Sequence, residues 1–553
     1  MIKWFKSGSP WIWLTAGAVS LSLVAVLGLL LLIGWKGLSF FWPAPVYQFD
    51  VSINGSNQII IGEIYEQKSV PVEQLADAGI DVSNIEGNSV PRYLIKTGNR
   101  ERVALDFITL LKTQITRQVL ADNIAVIDRD KNGKFYGYPI GFIDGGQRRG
   151  IDDIEGGLLQ ANLVRTQLDS LKNTEIADIN WQLNQQRLKQ RKLALNESSN
   201  DPSSVSFDES AQQSIDAEIE RLQDAYSEIE QRLFVLQEKL QNDALVVVDM
   251  HGNEVMLPMI QVLDMWYPNN LSFLGKLTHW GHQVVKFLTE DPREANTEGG
   301  VFPAIFGTVF MVLLMSIIVT PLGVMAAIYL HEYAGKNGFT KLIRVAVINL
   351  AGVPSIVYGV FGLGFFVYMV GGTIDDVFFS SQLPTPTFGT PGILWSALTL
   401  AILTLPVVIV STEEGLARIP SSVRHGSLAL GATQSETLWR IVLPMASPAI
   451  MTGLILAVAR AAGEVAPLML VGVVKMAPTL PVDGHFPYVH LDRKFMHLGY
   501  HIYDVGFQSP NVEAARPLVY ATSFLLVTVI VGLNLTAIGI RNHLREKFRS
   551  LEQ

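Results

Sequence analysis

The sequence predicts an α-helical integral membrane protein with six transmembrane helices. Between the first and second helices it predicts an α+β insertion bearing an antiparallel coiled-coil hairpin. Three observations carry this expectation. Hydrophobic residues make up 49% of the 553 and charged residues only 17%, against about 25% charged in an ordinary soluble chain. Six apolar runs reach the roughly 20 residues that a helix needs to cross a bilayer. A long polar stretch, 41–300, separates the first run from the other five.

The runs are Trp11–Trp35, Phe302–Leu330, Val345–Val370, Ile393–Val410, Ile450–Val474 and Val519–Ile540. The first follows Lys3 and Lys6, as a signal peptide would, but it exceeds the 7–15 residues of a typical signal core and no A-x-A site follows. It is therefore read as an uncleaved anchor. Lys and Arg near helix ends mark the cytoplasmic side. They occur at Lys3 and Lys6, at Lys336, Lys341 and Arg344, at Arg418, Arg424 and Arg440, and at Arg541, Arg545, Lys547 and Arg549. Alternating spans put all four groups on one side, so both termini are expected in the cytoplasm and 41–300 outside it. The net charge of −9 argues against a nucleic-acid partner. The absence of cysteine excludes disulfides, thiol catalysis and thiolate metal sites.

Within the insertion, 41–150 reads as β-rich, with runs such as Gln58–Ile61 and Ala125–Ile127 and turns at Asn54-Gly55 and Asn132-Gly133. Residues 151–243 read as a helical hairpin. Ile215, Ile219, Leu222, Tyr226, Ile229, Leu233, Leu236 and Leu240 alternate steps of four and three, the seam of a coiled coil. A less regular partner arm runs through Val164, Leu168, Leu171, Ile176, Ile179 and Leu183, and the polar stretch 197–204 reads as the tip. Such a seam serves either to cover the two arms with each other or to dock another protein. Residues 244–300 supply a closing β-hairpin, Leu245–Asp249 with Glu254–Leu257, and a linker.

The loop between the fourth and fifth runs carries the most chemical information. From Glu413 it reads EEGLARIPSSVRHGSLALGATQSETLWRIVLP. The pattern suggests a short amphipathic helix, a bend at Gly431, and a second helix stopped by Pro444. Leu428, Leu430, Leu438, Ile441 and Leu443 make the loop too apolar for open solvent, so a protein or the membrane surface is expected to cover it.

In the fifth run, Arg460 and Glu464 share a helix face at i,i+4 spacing. Each charge at mid-membrane costs about 2.5–3.5 kcal/mol on insertion scales, so the two require each other or a wet pathway. They are either a structural ion pair or part of a substrate path. Pro354 and Pro406 fall inside the third and fourth runs, as static kinks or as bending points. His497 and His501 have the spacing of a helical metal pair, but no acidic residue completes a known motif, and no metal is expected. Asp375 and Asp376 read as a solvated loop. No G-x4-G-K-[ST] occurs, since the Gly-Lys pairs at Gly133, Gly275 and Gly335 lack its other elements, so ATP hydrolysis by a P-loop is excluded here.

The spacing from His425 to Pro444 resembles the EAA-loop signature of ABC importer permeases, E-A-A-x3-G-x9-I-x-L-P. Three further stretches resemble the phosphate permease family, in its PstA-type subunit. They are GTVFMVLLMSIIVTPLGVMAAIYLHEYAG from Gly307, NLAGVPSIVYGVFGLGFF from Asn349 and ARAAGE from Ala459. The likeness covers about 302–541.

It implies a permease core at 301–541 with an ATPase-docking loop at 413–444, after an anchor at 1–40 and a periplasmic insertion at 41–300, and before a cytoplasmic tail at 542–553. Docking residues would be Glu413, Glu414, His425, Gly426, Ser427, Gly431, Ile441, Leu443 and Pro444. Substrate-path residues would be Arg460 and Glu464. The implied setting is a bacterial inner membrane. The implied partners are an ATPase dimer holding ATP and Mg, a second permease subunit, a periplasmic phosphate-binding protein and membrane lipid.

One departure stands out. The signature's E-A-A falls on His425-Gly426-Ser427, and histidine does not replace a carboxylate opposite a basic partner. Phosphate is the implied cargo. Sulfate or molybdate, or a sensor or scaffold role for the coiled coil, are the other readings.

Overall fold

A computed structural model describes residues 9–53, 56–77, 87–100, 106–198, 209–335, 337–509 and 512–548. The chain divides into two compact units, one built from 1–40 with 287–553 and the other from 41–286.

In the first unit, six helices among the described residues are long and apolar enough to cross a membrane. They are Trp11–Ser39, Phe302–Tyr333, Ser355–Phe378, Ile393–Ala417, Gln434–Gly463 and Ala515–His543. With no water to satisfy backbone groups in hydrocarbon, helices are the form such apolar runs must take. The fourth span is the most enclosed. Its Ile393, Ala397, Leu400, Ala401 and Val408 pack with Met311, Met315 and Val319 of the second span and Ala457, Val458 and Ala461 of the fifth. Lipid gives helices no hydrophobic reason to associate, so close contact relies on small residues. A Cβ on Gly323 would lie 2.6 Å from Val408, and one on Gly453 would lie 2.7 Å from Ser411. The first span touches the sixth, with Gly34 against Phe524.

Two spans differ from expectation. The third begins at Ser355, and Val345–Leu350 belong instead to a separate helix, Gly338–Leu350. Pro354 is therefore the cap before the third span and not a kink within it, with ψ of 134° that no helix interior allows. The Tyr358 hydroxyl donates to the Leu350 carbonyl across this break (2.6 Å). The third span also contains a π segment, Gly362–Gly371. The fifth span runs Gln434–Gly463, earlier in the chain than Ile450–Val474, because the helix starts within the preceding loop. Pro406 does lie inside the fourth span.

Asp375 is not solvated. It is buried at the end of the third span and accepts from the Phe388 and Gly389 N–H groups (2.8 and 2.7 Å). Its local sequence is only an acidic pair, and the loop that folds back onto it comes from later in the chain.

The second unit holds two antiparallel sheets. Strands β1 (Val46–Ile53), β2 (Ser56–Pro71), β3 (Ser89–Lys96), β4 (Phe107–Leu111) and β5 (Ile115–Leu120) form the order β4-β3-β2-β1-β5. Alternating apolar residues Phe49, Val51, Ile60, Tyr93 and Ile95 fill its buried face. Strands β6 (Ala125–Arg129), β7 (Phe135–Asp144), β8 (Gln147–Arg149), β9 (Ala244–Val248), β10 (Glu254–Pro258) and β11 (Val262–Trp266) form the second sheet, in the order β10-β9-β7-β6-β11 with β8 on β7. The Asp249 carboxylate accepts from His251 and Asn253 N–H (2.9 Å each) and fixes the β9–β10 turn.

Between β8 and β9 two helical arms project. One is Ile154–Ser170, continued through a π turn, Leu171–Ile176, into Ala177–Ser198, and the other is Glu209–Asn242. Contacts from Gln190 to Asp216 and from Glu175 to Arg232 show that they run antiparallel. Leu171, Ile179 and Leu183 meet Leu222 and Ile229 in the seam. Most of the 197–204 tip and the Asn54-Gly55 turn lie outside the described residues. Leu222→Ala is expected to destabilise the arms by about 2–5 kcal/mol. Hydrogen exchange across 209–242 should rise accordingly, whereas the exposed Phe234→Ala should leave it near the parent value.

Candidate functional site

The loop after the fourth span is a helix, a bend and a helix. Ser421–Ala429 ends at Leu430, and Gly431 takes φ +90°, a conformation that glycine adopts without a Cβ clash. Thr433 then caps the next turn, accepting from Glu436 N–H while the Glu436 side chain accepts from Thr433 N–H. From there the helix continues through a π turn, Leu438–Val442, into Leu443–Gly463. Pro444 does not stop this helix. It sits in the first turn after the wide π turn, where a missing N–H is tolerated.

The two halves of the loop are tied together from within. The Ser427 and Thr437 hydroxyls pair at 2.8 Å, both buried. Arg424 donates to the Ile419 and Leu416 carbonyls (2.8 and 2.9 Å) and to the Glu332 carboxylate at the end of the second span (2.9 Å). Leu438 and Val442 turn inward onto Leu416 and Ile419. Glu413 lies in the fourth span and pairs with Arg344 (3.1 Å), whereas Glu414 is exposed and 3.9 Å from Arg418.

The outward face differs from the one the sequence suggests. Leu438 is buried, and Ile441, Leu443 and Pro444 are half-buried. The exposed apolar residues are Leu428, Leu430 at 91% and Trp439 at 69%, with His425, Gly426 and Gly431 beside them in sequence. Trp439 is hard to single out in the sequence because Leu438 beside it fits the apolar pattern equally well. Adjacent helical residues point about 100° apart, so neighbours of like hydropathy can differ in burial, as Leu438 and Trp439 do.

The charged pair lies where the fifth span ends. Arg460 is in the last helical turn and Glu464 is the residue just past it, extended at φ −81° and ψ 130°. They therefore do not share a helix face at mid-span, yet Arg460 Nε comes within 3.5 Å of Glu464 Oε1. A cation in the last turn also faces the negative end of the helix dipole. The side chains keep 32% and 21% of their surface.

Beyond this pair the chain forms a compact loop. Asp483 accepts from the His485 N–H (2.9 Å), His490 Nε2 (2.8 Å) and Arg493 (2.6 Å). Partial burial opposes ionisation of Asp483, but these bonds prevail and hold its carboxyl at about 2. His497 is the cap of helix Leu498–Tyr503, and its Nδ1 accepts from Gly499 N–H (3.1 Å). His497 and His501 are both buried, and desolvation lowers each imidazole to about 4. Nearby, Asn296 donates to Asp504 (3.0 Å), which also meets Lys475 (3.2 Å). The described residues contain no cluster of three or more groups suited to a metal.

Residues 319–549 match the family described as the binding-protein-dependent transport system inner membrane component. The phosphate transport system permease protein PstA of Mycobacterium leprae is 30% identical over 288 residues, which is 52% of this chain and 83% of that protein. PstA 1 of Mycobacterium tuberculosis H37Rv is 31% identical over 47% of this chain and 74% of its own length. The probable ABC transporter permease YqgH of Bacillus subtilis is 33% identical over 37% of this chain, which spans 63% of that relative.

Two outcomes follow from the geometry. Ser427→Val leaves the buried Thr437 hydroxyl without its partner at a cost of about 1–3 kcal/mol. The thermal midpoint should fall, while the exposed Leu428→Ala leaves it unchanged. The buried histidines add a pH dependence of known sign. They stay neutral when folded, whereas the unfolded chain protonates them near the ordinary 6.5. Stability is thus lost as pH falls from about 6.5 towards 4, because the unfolded state binds the protons first. The loss between pH 6.5 and 5 should flatten in His497→Gln/His501→Gln, and an unchanged slope would refute the assignment.

Proposed function

The chain belongs to the binding-protein-dependent inner-membrane permeases, of the PstA type, and we propose that it imports inorganic phosphate as one permease subunit of an ATP-driven transporter. The observation that carries this reading is the tied helix–bend–helix loop with its bare apolar face at Leu428, Leu430 and Trp439. A P-loop is absent from the sequence, so the energy source is an ATPase dimer that binds ATP and Mg and docks on this face. Docking rests on Leu430 and Trp439 in place of the carboxylate that His425 replaces. Glu413 is engaged by Arg344, which leaves Glu414 as the acidic residue available beside the loop.

Six spans in one chain pair with a second permease subunit to enclose a path, and a periplasmic binding protein supplies the anion. In this orientation both termini and the loop are cytoplasmic, and 41–286 is periplasmic, in a bacterial inner membrane. Arg460 meets the phosphate, and Glu464, 3.5 Å away, competes with it for the guanidinium and so prevents tight retention. The place of this pair at a helix end, with part of each side chain accessible, favours a pathway role over a sealed structural pair. Pro406 gives the fourth span a point of bending, and Pro354 separates the third span from the helix before it.

The test is labelled phosphate uptake in cells lacking their own high-affinity permease, supplied with this chain and its partner subunits. ATP-dependent uptake that unlabelled sulfate does not compete away, and that Arg460→Ala abolishes in an assembled complex, is the expected result. No uptake despite assembly would overturn the transporter reading in favour of a sensor or scaffold. Competition by sulfate or molybdate would reassign the cargo, and full activity in Arg460→Ala would return that residue to a structural role. Separately, Trp439→Ala should weaken ATPase co-purification by about 2 kcal/mol, roughly thirtyfold in Kd. Retention of wild-type affinity would move docking off this face.

A further inference from the structure

One helix wears its amphipathic pattern inside out. Along Phe273–Thr289, the polar residues Lys276, His279, Gln283 and Lys286 recur at steps of three and four. That polar side is the one held against the protein. The His279 ring lies 4.7 Å from the Trp266 ring, Gln283 reaches His279 at 3.4 Å, and Lys286 lies 3.7 and 3.5 Å from the Asp128 and Asp264 carboxylates. On the other side Phe273, Leu274 and Leu277 are 75%, 68% and 44% exposed. A helix bathed in water turns its apolar stripe to the core and its charges outward. The reversal here requires an apolar medium on the outward side.

Both ends of the helix mark which medium this is. At its far end the Val301 N–H donates to the Phe287 carbonyl (2.8 Å) and the Phe302 N–H to the Glu290 carbonyl (3.2 Å). Phe302 is the first residue of the second span, so this end is fixed where the chain enters the bilayer. At its near end the Phe273 ring lies 6.1 Å from Trp42, a half-exposed indole three positions after the end of the first span at Ser39. Tryptophan at a span end is the usual occupant of the headgroup layer. A helix joined through the chain to the second span, with Phe273, Leu274 and Leu277 outward and His279 and Lys286 inward, has the composition of one lying in the interface.

We propose that residues 273–289 form an interfacial helix whose Phe273, Leu274 and Leu277 face rests in the headgroup–acyl boundary, so that lipid is a direct partner of the inserted segment. The helix is then held between the bilayer on one side and Trp266, Asp128 and Asp264 on the other. Its position depends on neither the cargo nor the ATPase.

The cysteine-free chain makes the test direct. Leu274→Cys, Leu277→Cys and His282→Cys, all at exposed positions, are labelled singly with a nitrobenzoxadiazole fluorophore. The full chain is reconstituted in phosphatidylcholine–phosphatidylglycerol vesicles with or without brominated acyl chains. Reporters at 274 and 277 should lose about half their emission to brominated lipid, as expected for a face sunk about 5–10 Å into the boundary. The reporter at 282, turned about 140° from 277, should respond instead to aqueous iodide. Each labelled chain must keep the parent thermal midpoint, and Phe273→Cys replaces any that does not. Iodide quenching at 274 and 277 equal to that at 282 would overturn the proposal. Shielding of 274 and 277 from both quenchers would overturn it too, and would assign the face to a protein partner.

Discussion

A bilayer offers the backbone no hydrogen-bond partner, and the architecture of the membrane unit follows from that. Every crossing segment closes its own hydrogen bonds as a helix. In consequence, helices no longer gain by hiding from water and must fit closely to associate. Gly323 against Val408 and Gly453 against Ser411 supply that fit, and they place the fourth span at the centre with the second and fifth on its flanks. At the two ends of the third span other groups take over. The Tyr358 hydroxyl serves the Leu350 carbonyl at the break before the third span, and Asp375 serves two N–H groups at its end.

The same pairing of polar groups within the protein shapes the loop between the fourth and fifth spans. Three of its polar side chains are engaged inward, Arg424 on two carbonyls and Glu332, Ser427 on Thr437, and Glu413 on Arg344. The apolar residues left outward are Leu428, Leu430 and Trp439, among polar neighbours such as His425, Gln434 and Arg440. These internal ties hold the helix, the bend and the next helix of the loop together. Ser427, the last residue of His425-Gly426-Ser427, provides one of these ties.

Length and apolar composition made the six spans legible, because hydrocarbon thickness imposes a minimum run on any sequence. The arms were legible through the three–four spacing of Leu222, Tyr226, Ile229 and Leu233, which keeps one apolar stripe facing a partner helix over successive turns. Boundaries set by local breaks were less so. Val345–Val370 looks continuous in hydropathy, and only the conformation imposed before and at Pro354 divides it. The fifth span starts earlier than hydropathy indicates, because its first turn lies in the polar sequence Gln434–Thr437. At the site, the i,i+4 spacing brought Arg460 and Glu464 together in expectation. They do meet, but across a helix end that the spacing does not reveal. Trp439, Arg424 and Glu332 carry no local signal, because their roles depend on which side of a helix is buried and on a partner distant in sequence.

The capped turn at Thr433 is the first turn of the fifth span itself, since the helix from Gln434 reaches Gly463 without leaving helical geometry. Thirty residues make a rod of roughly 45 Å, so a tilt of about 5° at the bend moves the far end by about 4 Å. The far end carries Arg460 and Glu464. The bend at Gly431 and the ion pair thus lie at opposite ends of one continuous helix. A rigid tilt of that helix about its start would displace the ion pair more than the residues beside Gly431.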